Sequence, residues 1–115
     1  MLRAKLSTDH EEGHYLRFLI DSGADYTLIP KSAAIMLGLN YKKLSTTEGT
    51  VEASNHTYIK TKTSHLHLTI DTVSIKIPVL VCEEEIECIL GRKGVFENFE
   101  ITFREKQQEV VFRKC

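Results

Sequence analysis

The chain has 115 residues, enough for a single domain spanning 1–115 and too few for two. Its 42% hydrophobic and 27% charged residues suit a folded soluble protein, and fifteen basic against sixteen acidic side chains lack the basic surplus of a nucleic-acid binder. No apolar run approaches the roughly 20 residues that cross a bilayer, and Ser7-Thr8-Asp9 turns polar too early for a secretory signal, so a cytoplasmic protein or a piece of a larger one is expected, without membrane or nucleic-acid partners.

In chain order, Tyr15 to Ile20 is a short apolar run that reads as a strand and stops abruptly at Asp21-Ser22-Gly23. Pro30 suits the first position of a helix over Lys31–Leu37, with Gly38 as its left-handed stop. From Tyr58 to Ile70, Ile59, Leu66, Leu68 and Ile70 alternate with polar residues, as on a strand with one buried face. Asp71-Thr72 reads as a turn. Val73, Ile75 and Ile77 alternate again up to Pro78, and Val79 to Cys82 continues as a buried strand. A second short helix is expected around Gly94–Phe99. Strands follow at Ile101–Phe103 and Val110–Phe112. The class is mainly β with one or two short helices. Cys82, Cys88 and Cys115 are odd in number and form no C-x-x-C pair, so they read as reduced thiols.

Chemistry concentrates in Phe18-Leu19-Ile20-Asp21-Ser22-Gly23-Ala24-Asp25-Tyr26-Thr27-Leu28-Ile29-Pro30. A carboxylate follows a buried strand directly, then a small hydroxyl and a glycine, which makes a tight loop projecting Asp21 from a rigid strand end. Gly23 lets the backbone turn and approach closely, and the Ser22 hydroxyl can hydrogen-bond within the loop. Alone, such a tripeptide is common turn punctuation.

The segment resembles the active-site motif of retropepsin-like aspartic proteases, in which Asp-(Thr/Ser)-Gly-Ala follows a hydrophobic strand. The second family hallmark, two hydrophobic residues and a glycine, is matched by Ile89-Leu90-Gly91, with Arg92 next. The likeness runs from about Leu16 to Phe112. It implies a closed, barrel-like β lobe that is active as a homodimer, because the chain holds one Asp-Ser-Gly and the family's chemistry uses two carboxylates. Asp21 is then the catalytic residue, with one copy from each subunit. Ser22 braces the two loops across the dimer axis, Gly23 offers its carbonyl to substrate backbone, and Ala24 completes the loop. Asp25 contacts substrate backbone and pairs with Arg92, while Gly91 lets a chain pass close behind the loop. The resemblance also implies a flap over Thr46–Tyr58 with its tip at Ala53, Ser54, Asn55 and His56, poorer in glycine than viral flaps and closer to those of cellular members. It assigns the terminal strands, Leu2–Leu6 and Val110–Phe112, to the subunit interface. The implied activity is that of an aspartic endopeptidase on peptide or protein substrates, with no cofactor and no metal. The alternative is a non-catalytic dimeric module that binds peptides or serves assembly on the same fold.

Other features have plainer readings. His65 and His67 share one strand face without a third ligand, so they read as a solvated face. Glu83-Glu84-Glu85 with Glu87 reads as an exposed acidic loop. Gly91-Arg92-Lys93-Gly94 lacks the Gly-Lys-Ser/Thr of a phosphate-binding loop. Phe18 and Tyr26 read as core.

Overall fold

A computed structural model describes residues 1–46, 51–52, 58–104, 106–107 and 109–115. The elements are β1 (Leu2–Ser7), β2 (His14–Ile20), β3 (Thr27–Pro30), α1 (Lys31–Met36), β4 (Ser45–Thr46), β5 (Val51–Glu52), β6 (Tyr58–Ile59), β7 (Thr61–Ile70), β8 (Val73–Cys82), β9 (Cys88–Leu90), β10 (Phe99–Arg104) and β11 (Glu109–Lys114). A turn of 3-10 helix lies at Tyr41–Lys43.

Period-two alternation gives β1, β7 and the first half of β8 one inward apolar face, while β3 is buried throughout. β1 turns in Ala4 and Leu6, β7 turns in Leu66, Leu68 and Ile70, and β8 turns in Ile77, Val79 and Val81. The strands run in the order β1-β2-β9-β3-β8-β7, and β1 returns to β7, so six of them close a barrel with β4 added beside β7. Phe18 and Leu90 enter the same core from β2 and β9, joined by Ile29, Leu37, Val95 and Phe99. Full burial of a side chain such as Phe18 contributes about 1.5–3 kcal/mol. The result is the expected closed, mainly β lobe with one short helix.

α1 covers one side of the barrel, burying Ala33 and Ala34. Gly38, at φ +90°, ends it. Its N–H donates to the Ile35 carbonyl and the Leu39 N–H to the Ala34 carbonyl, the bonding pattern of a left-handed glycine cap.

Several sequence expectations need correction. Pro30 does not open the helix; it ends β3 and caps α1 with an extended ψ of 159°. β8 runs straight through Pro78, which is paired with His65 on β7. The parallel partner β3 joins only from Val79, so the missing proline N–H falls where β8 has a neighbour on one side alone. The Tyr58–Ile70 stretch is two strands, interrupted at Lys60. No helix forms over Gly94–Phe99. Gly94 sits at φ +78°, and its carbonyl accepts from the Asn98 side-chain amide at 2.7 Å, leaving two consecutive turns. β2 is half buried, not wholly so: Leu16, Phe18 and Ile20 face the core while Tyr15, Arg17 and Leu19 face outward. β1, assigned to a subunit interface by the resemblance, pairs with β2 over Leu2–Leu6 and with β7 over Lys5–Ser7.

The β1–β2 connection is fastened to the β7–β8 hairpin by charge. The Asp9 carboxylate pairs with His67 and lies 3.5 Å from the Lys76 ammonium. These partners, the His67 hydrogen bond foremost, hold the Asp9 carboxyl below its usual range. His67 is therefore engaged with a carboxylate, and among the described residues no group of three metal-binding side chains occurs. Among the described residues no helix is long and apolar enough to cross a membrane.

The three cysteines are unpaired. Burial pushes the Cys82 thiol up to about 11, and burial also raises that of Cys88. Since the thiolate is the reactive form, a thiol reagent added to the native protein near about pH 8 should label exposed Cys115 first, and Cys82 only on unfolding. Peptide mapping after timed labelling checks the order; rapid native labelling of Cys82 would contradict it.

Candidate active site

Asp21 stands one residue beyond β2 and is exposed. Its own N–H donates to the Leu90 carbonyl at 3.1 Å, which extends the parallel β2–β9 pairing by one bond. Its carbonyl accepts from the Ala24 N–H at 3.2 Å and closes the Asp21–Ala24 turn. The carboxylate atom Oδ1 accepts from the Gly23 N–H at 2.8 Å. A side chain at Gly23 would begin 3.2 Å from that same oxygen. The carboxylate is thus oriented by main chain while its face stays open to solvent. The glycines with positive φ among the described residues are Gly38 and Gly94, so Gly23 serves close approach and not a left-handed turn.

The loop is held from behind by the segment that follows β9, Gly91–Lys93. A Cβ on Gly91 would lie 2.3 Å from both the carbonyl carbon and oxygen of Tyr26 and 2.9 Å from the Thr27 nitrogen. The Gly91 N–H donates to the Thr27 hydroxyl at 3.2 Å, and Thr27 is fully buried. Arg92 N–H donates to the Ala24 carbonyl at 2.9 Å and Lys93 N–H to the Asp25 carbonyl at 2.8 Å. Sequence reasoning missed Thr27. Its signal was a lone hydroxyl at the head of the apolar run Leu28-Ile29, where a buried side chain must find a donor or acceptor.

Asp25 and Arg92 are both exposed and, with Lys93, Phe96 and Glu97, line a cleft of about 360 Å³. They do not form the expected ion pair; their segments are joined through the main-chain bonds of Arg92 and Lys93 instead. Lys93 takes a different partner, donating to the Tyr26 hydroxyl at 3.0 Å with its ammonium 4.5 Å from the ring centroid. That bond, with the nearby Asp25 charge adding, raises the Lys93 pKa.

A second apolar cluster lies outside the barrel core. Leu28, Leu80 and Cys82 are buried in it, with Tyr26, Ile86 and Ile89 packed against them. Phe18 is core as expected, whereas Tyr26 belongs to this outer group. Leu19 pairs with Ile89, Ile89 with Leu28, and Leu28 with Leu80, so the sheet register lays an apolar row across β2, β9, β3 and β8. Leu19, two residues before Asp21, is 44% exposed at the end of that row. The Glu83–Glu87 segment runs alongside in sequence, with Glu83, Glu84, Glu85 and Glu87 exposed, and Glu85 accepts from the Ser32 hydroxyl at 3.0 Å. Ser22 is exposed beside Asp21. In the stretch expected to form a flap, β5 and β6 pair antiparallel, Val51 with Ile59 and Glu52 with Tyr58. Ala53, Ser54, Asn55 and His56 lie outside the described residues.

Replacing Gly91 by alanine forces main chain away from main chain, because the contacted atoms are backbone and cannot rotate aside. The expected cost reaches or exceeds the top of the about 1–3 kcal/mol usual for overpacking. Urea unfolding of Gly91→Ala should show a lower midpoint at unchanged slope, and an unchanged midpoint would refute the close pass.

The model of the aspartyl protease family matches residues 8–93. Comparison with curated proteins gives no match. Among solved structures, a retropepsin-like aspartic protease from Rickettsia conorii superposes with a TM-score of 0.68 at 21% identity, covering 96% of this chain and 80% of the other. The retroviral protease-like domain of Ddi1 from Leishmania major gives 0.66 at 14% identity, covering 100% and 90%. EIAV protease complexed with the inhibitor HBY-793 gives 0.61 at 19% identity, covering 79% and 81%. At these identities the structures speak for the fold, and the family match spans the Asp21 loop, β9 and Gly91 together. The chain belongs to the aspartyl protease family, with the single-lobe retropepsin-like fold.

Proposed function

We propose that residues 1–115 act as one domain and work as a homodimeric aspartic endopeptidase, with Asp21 of each copy forming the catalytic pair. The observation that carries this reading is the seating of Asp21: an open carboxylate at a strand exit, aimed by the Gly23 N–H and backed by the Gly91 segment.

One carboxylate cannot act as general base and general acid in the same step. A two-fold axis beside the Asp21 loop supplies the second from an identical chain. Two such groups about 3 Å apart resist double ionisation, so at working pH they share one proton. The charged member takes a proton from a water molecule as it attacks the peptide carbonyl. The protonated member donates a hydrogen bond to the carbonyl oxygen, and the proton then passes to the leaving nitrogen. No covalent enzyme intermediate forms. Ser22, next to the pair, braces the two loops across the axis. The Gly23 carbonyl and the Asp25 carboxylate are available to the backbone of an extended substrate, and the apolar row through Leu19 and Ile89 favours apolar side chains near the cut bond.

Activity should fall on both sides of an optimum. At low pH both carboxyls are protonated and no base remains; at high pH both are charged, no acid remains, and the pair repels itself. The two limbs report the pair and not either residue.

The test is cleavage of a diverse peptide library between about pH 4 and 7, with products identified by mass. Wild type should cut, and Asp21→Asn, nearly isosteric, should lose at least about 10²–10⁴-fold in kcat/KM with its thermal unfolding unchanged. Equal activity in the variant would overturn the assignment. Peptide binding without turnover by both proteins, each folded and dimeric, would favour a non-catalytic module.

A further inference from the structure

β1, β2, β7 and β8 hold no Asp or Glu, although the chain has sixteen acidic residues. Most of their cations gather on the outer side of the barrel. Direct cross-strand partners share a face, so the positions that turn away from the core form rows across the sheet. Arg3 stands opposite Arg17, Lys5 opposite Tyr15 and Thr69, Ser7 opposite His67, and His67 opposite Lys76. Arg3, Tyr15, Arg17 and Lys76 are exposed, and Lys5 is half-buried. Like charges directly opposed on a ladder repel. Among the described residues Arg3, Lys5 and Arg17 make no ion pair that would relieve them. Asp9 reaches the far end of the face, but His67 and Lys76 hold it there. Arg3 lies instead over the Tyr15 ring, 5.0 Å from its centroid. On a chain of net charge −1 this is a local basic surplus, and it attracts anions.

The position of the face says which anion suits it. The outward residues of β2 are Tyr15, Arg17 and Leu19, and the strand then runs directly into Asp21. From Arg17 to Asp21 is about 13 Å of extended chain. A polypeptide that leaves the site over Leu19 therefore meets Arg17 next, then Arg3 and Lys5. Same-side residues of an extended peptide recur about every 6.6–6.8 Å, which is also the interval between the Arg3 and Lys5 rows. A nucleic acid fits less well. One face of the Tyr15 ring holds a guanidinium in place of a stacked base, and Glu11 and Glu12, exposed between β1 and β2, repel a long polyanion.

We propose that Arg3, Lys5 and Arg17, with Tyr15 between them, form a docking face outside the cleft for an acidic stretch of the polypeptide substrate. This rests on the peptidase reading and adds a substrate class to it: chains in which a run of Asp or Glu lies about four or more residues from the cut bond. Each cation contributes little in water, so docking draws on several together and is screened by salt. The face touches nothing that changes between bound substrate and transition state, so it acts on KM and not on kcat.

The test compares two peptides that share one cleavable core, joined through a Gly-Ser spacer of about four residues to a run of Glu or to an equal run of Gln. Wild type should cut the Glu peptide with a KM about 5-fold or more lower at equal kcat, and the advantage should vanish at about 1 M salt. In the triple variant Arg3→Gln/Lys5→Gln/Arg17→Gln the two peptides should be cut alike. Lys42→Gln/Lys43→Gln, altered on the 3-10 turn, should keep the preference. Far-ultraviolet circular dichroism and thermal melts confirm that each variant is folded. Binding is read without turnover by fluorescence anisotropy of a labelled Glu-run peptide on Asp21→Asn, and adding the triple substitution should weaken it by a similar factor. A preference for Glu that survives the triple substitution would overturn the assignment to this face. Equal KM for both peptides on wild type, with no anisotropy change, would overturn docking and leave the cleavage reading standing. Binding that depends on the three cations in a protein that cuts nothing would do the reverse. Tighter binding of a single-stranded oligonucleotide of equal charge would overturn the choice of a polypeptide.

Discussion

The close pass of Gly91 behind the Asp21 loop is the constraint on which the rest of the site depends. A carboxylate on a surface turn ordinarily samples several rotamers, and the turn itself drifts. Here the turn is pinned along its length, by Leu90 at Asp21, by Arg92 at Ala24, by Lys93 at Asp25 and by the Thr27 hydroxyl at Gly91. Every one of those bonds needs the Gly91 main chain within van der Waals reach of Tyr26 and Thr27, and only hydrogen can occupy the space between them. The bonds are main chain to main chain or to a buried hydroxyl, so they lie under the loop and leave the carboxylate uncovered. Preorganisation and exposure, which usually compete, are obtained from opposite sides of the same loop.

Barrel closure supplies the stiffness behind that arrangement. β9 is only three residues long, yet it pairs parallel with β2 and antiparallel with β3, so the strand bearing Leu90 is gripped on both sides. β2 is in turn held by β1, which closes the ring onto β7. A strand with neighbours on both sides cannot slide without breaking two ladders. The Asp21 loop therefore inherits its position from the whole ring. The Asp9 pair with His67 and Lys76 adds a peripheral tie between the β1–β2 connection and the β7–β8 hairpin, exposed to solvent and worth little beside the closed ladders.

What could be read in the residues and what could not divides along a physical line. Alternation over Leu66, Leu68 and Ile70 or over Ile77 and Val79 reports which face is buried, and those faces are buried. Gly38 as a helix stop is a local matter of backbone conformation, and it was legible for that reason. Partners are not local. That β1 closes onto β7, that Pro78 falls where β8 has one neighbour, and that Thr27 meets Gly91 across the fold all depend on pairings far apart in the chain. The same limit explains the missing Gly94–Phe99 helix: Val95 and Phe99 have helical spacing because both face the core, and two turns suffice to place them there. The Asp25–Arg92 pairing failed differently. It required side-chain geometry between two exposed residues, where solvent competes with any partner and Lys93 can be drawn to Tyr26 instead.

A site built from one carboxylate per chain has a consequence for its chemistry. In the proposed dimer the two Asp21 residues are identical by symmetry, so nothing in the protein distinguishes acid from base; the single shared proton does. Either copy can hold it, and an extended peptide can enter the cleft in either direction and find the same groups. The structural requirement on the interface is correspondingly strict, because an error in the axis moves both carboxylates at once and doubles their separation error.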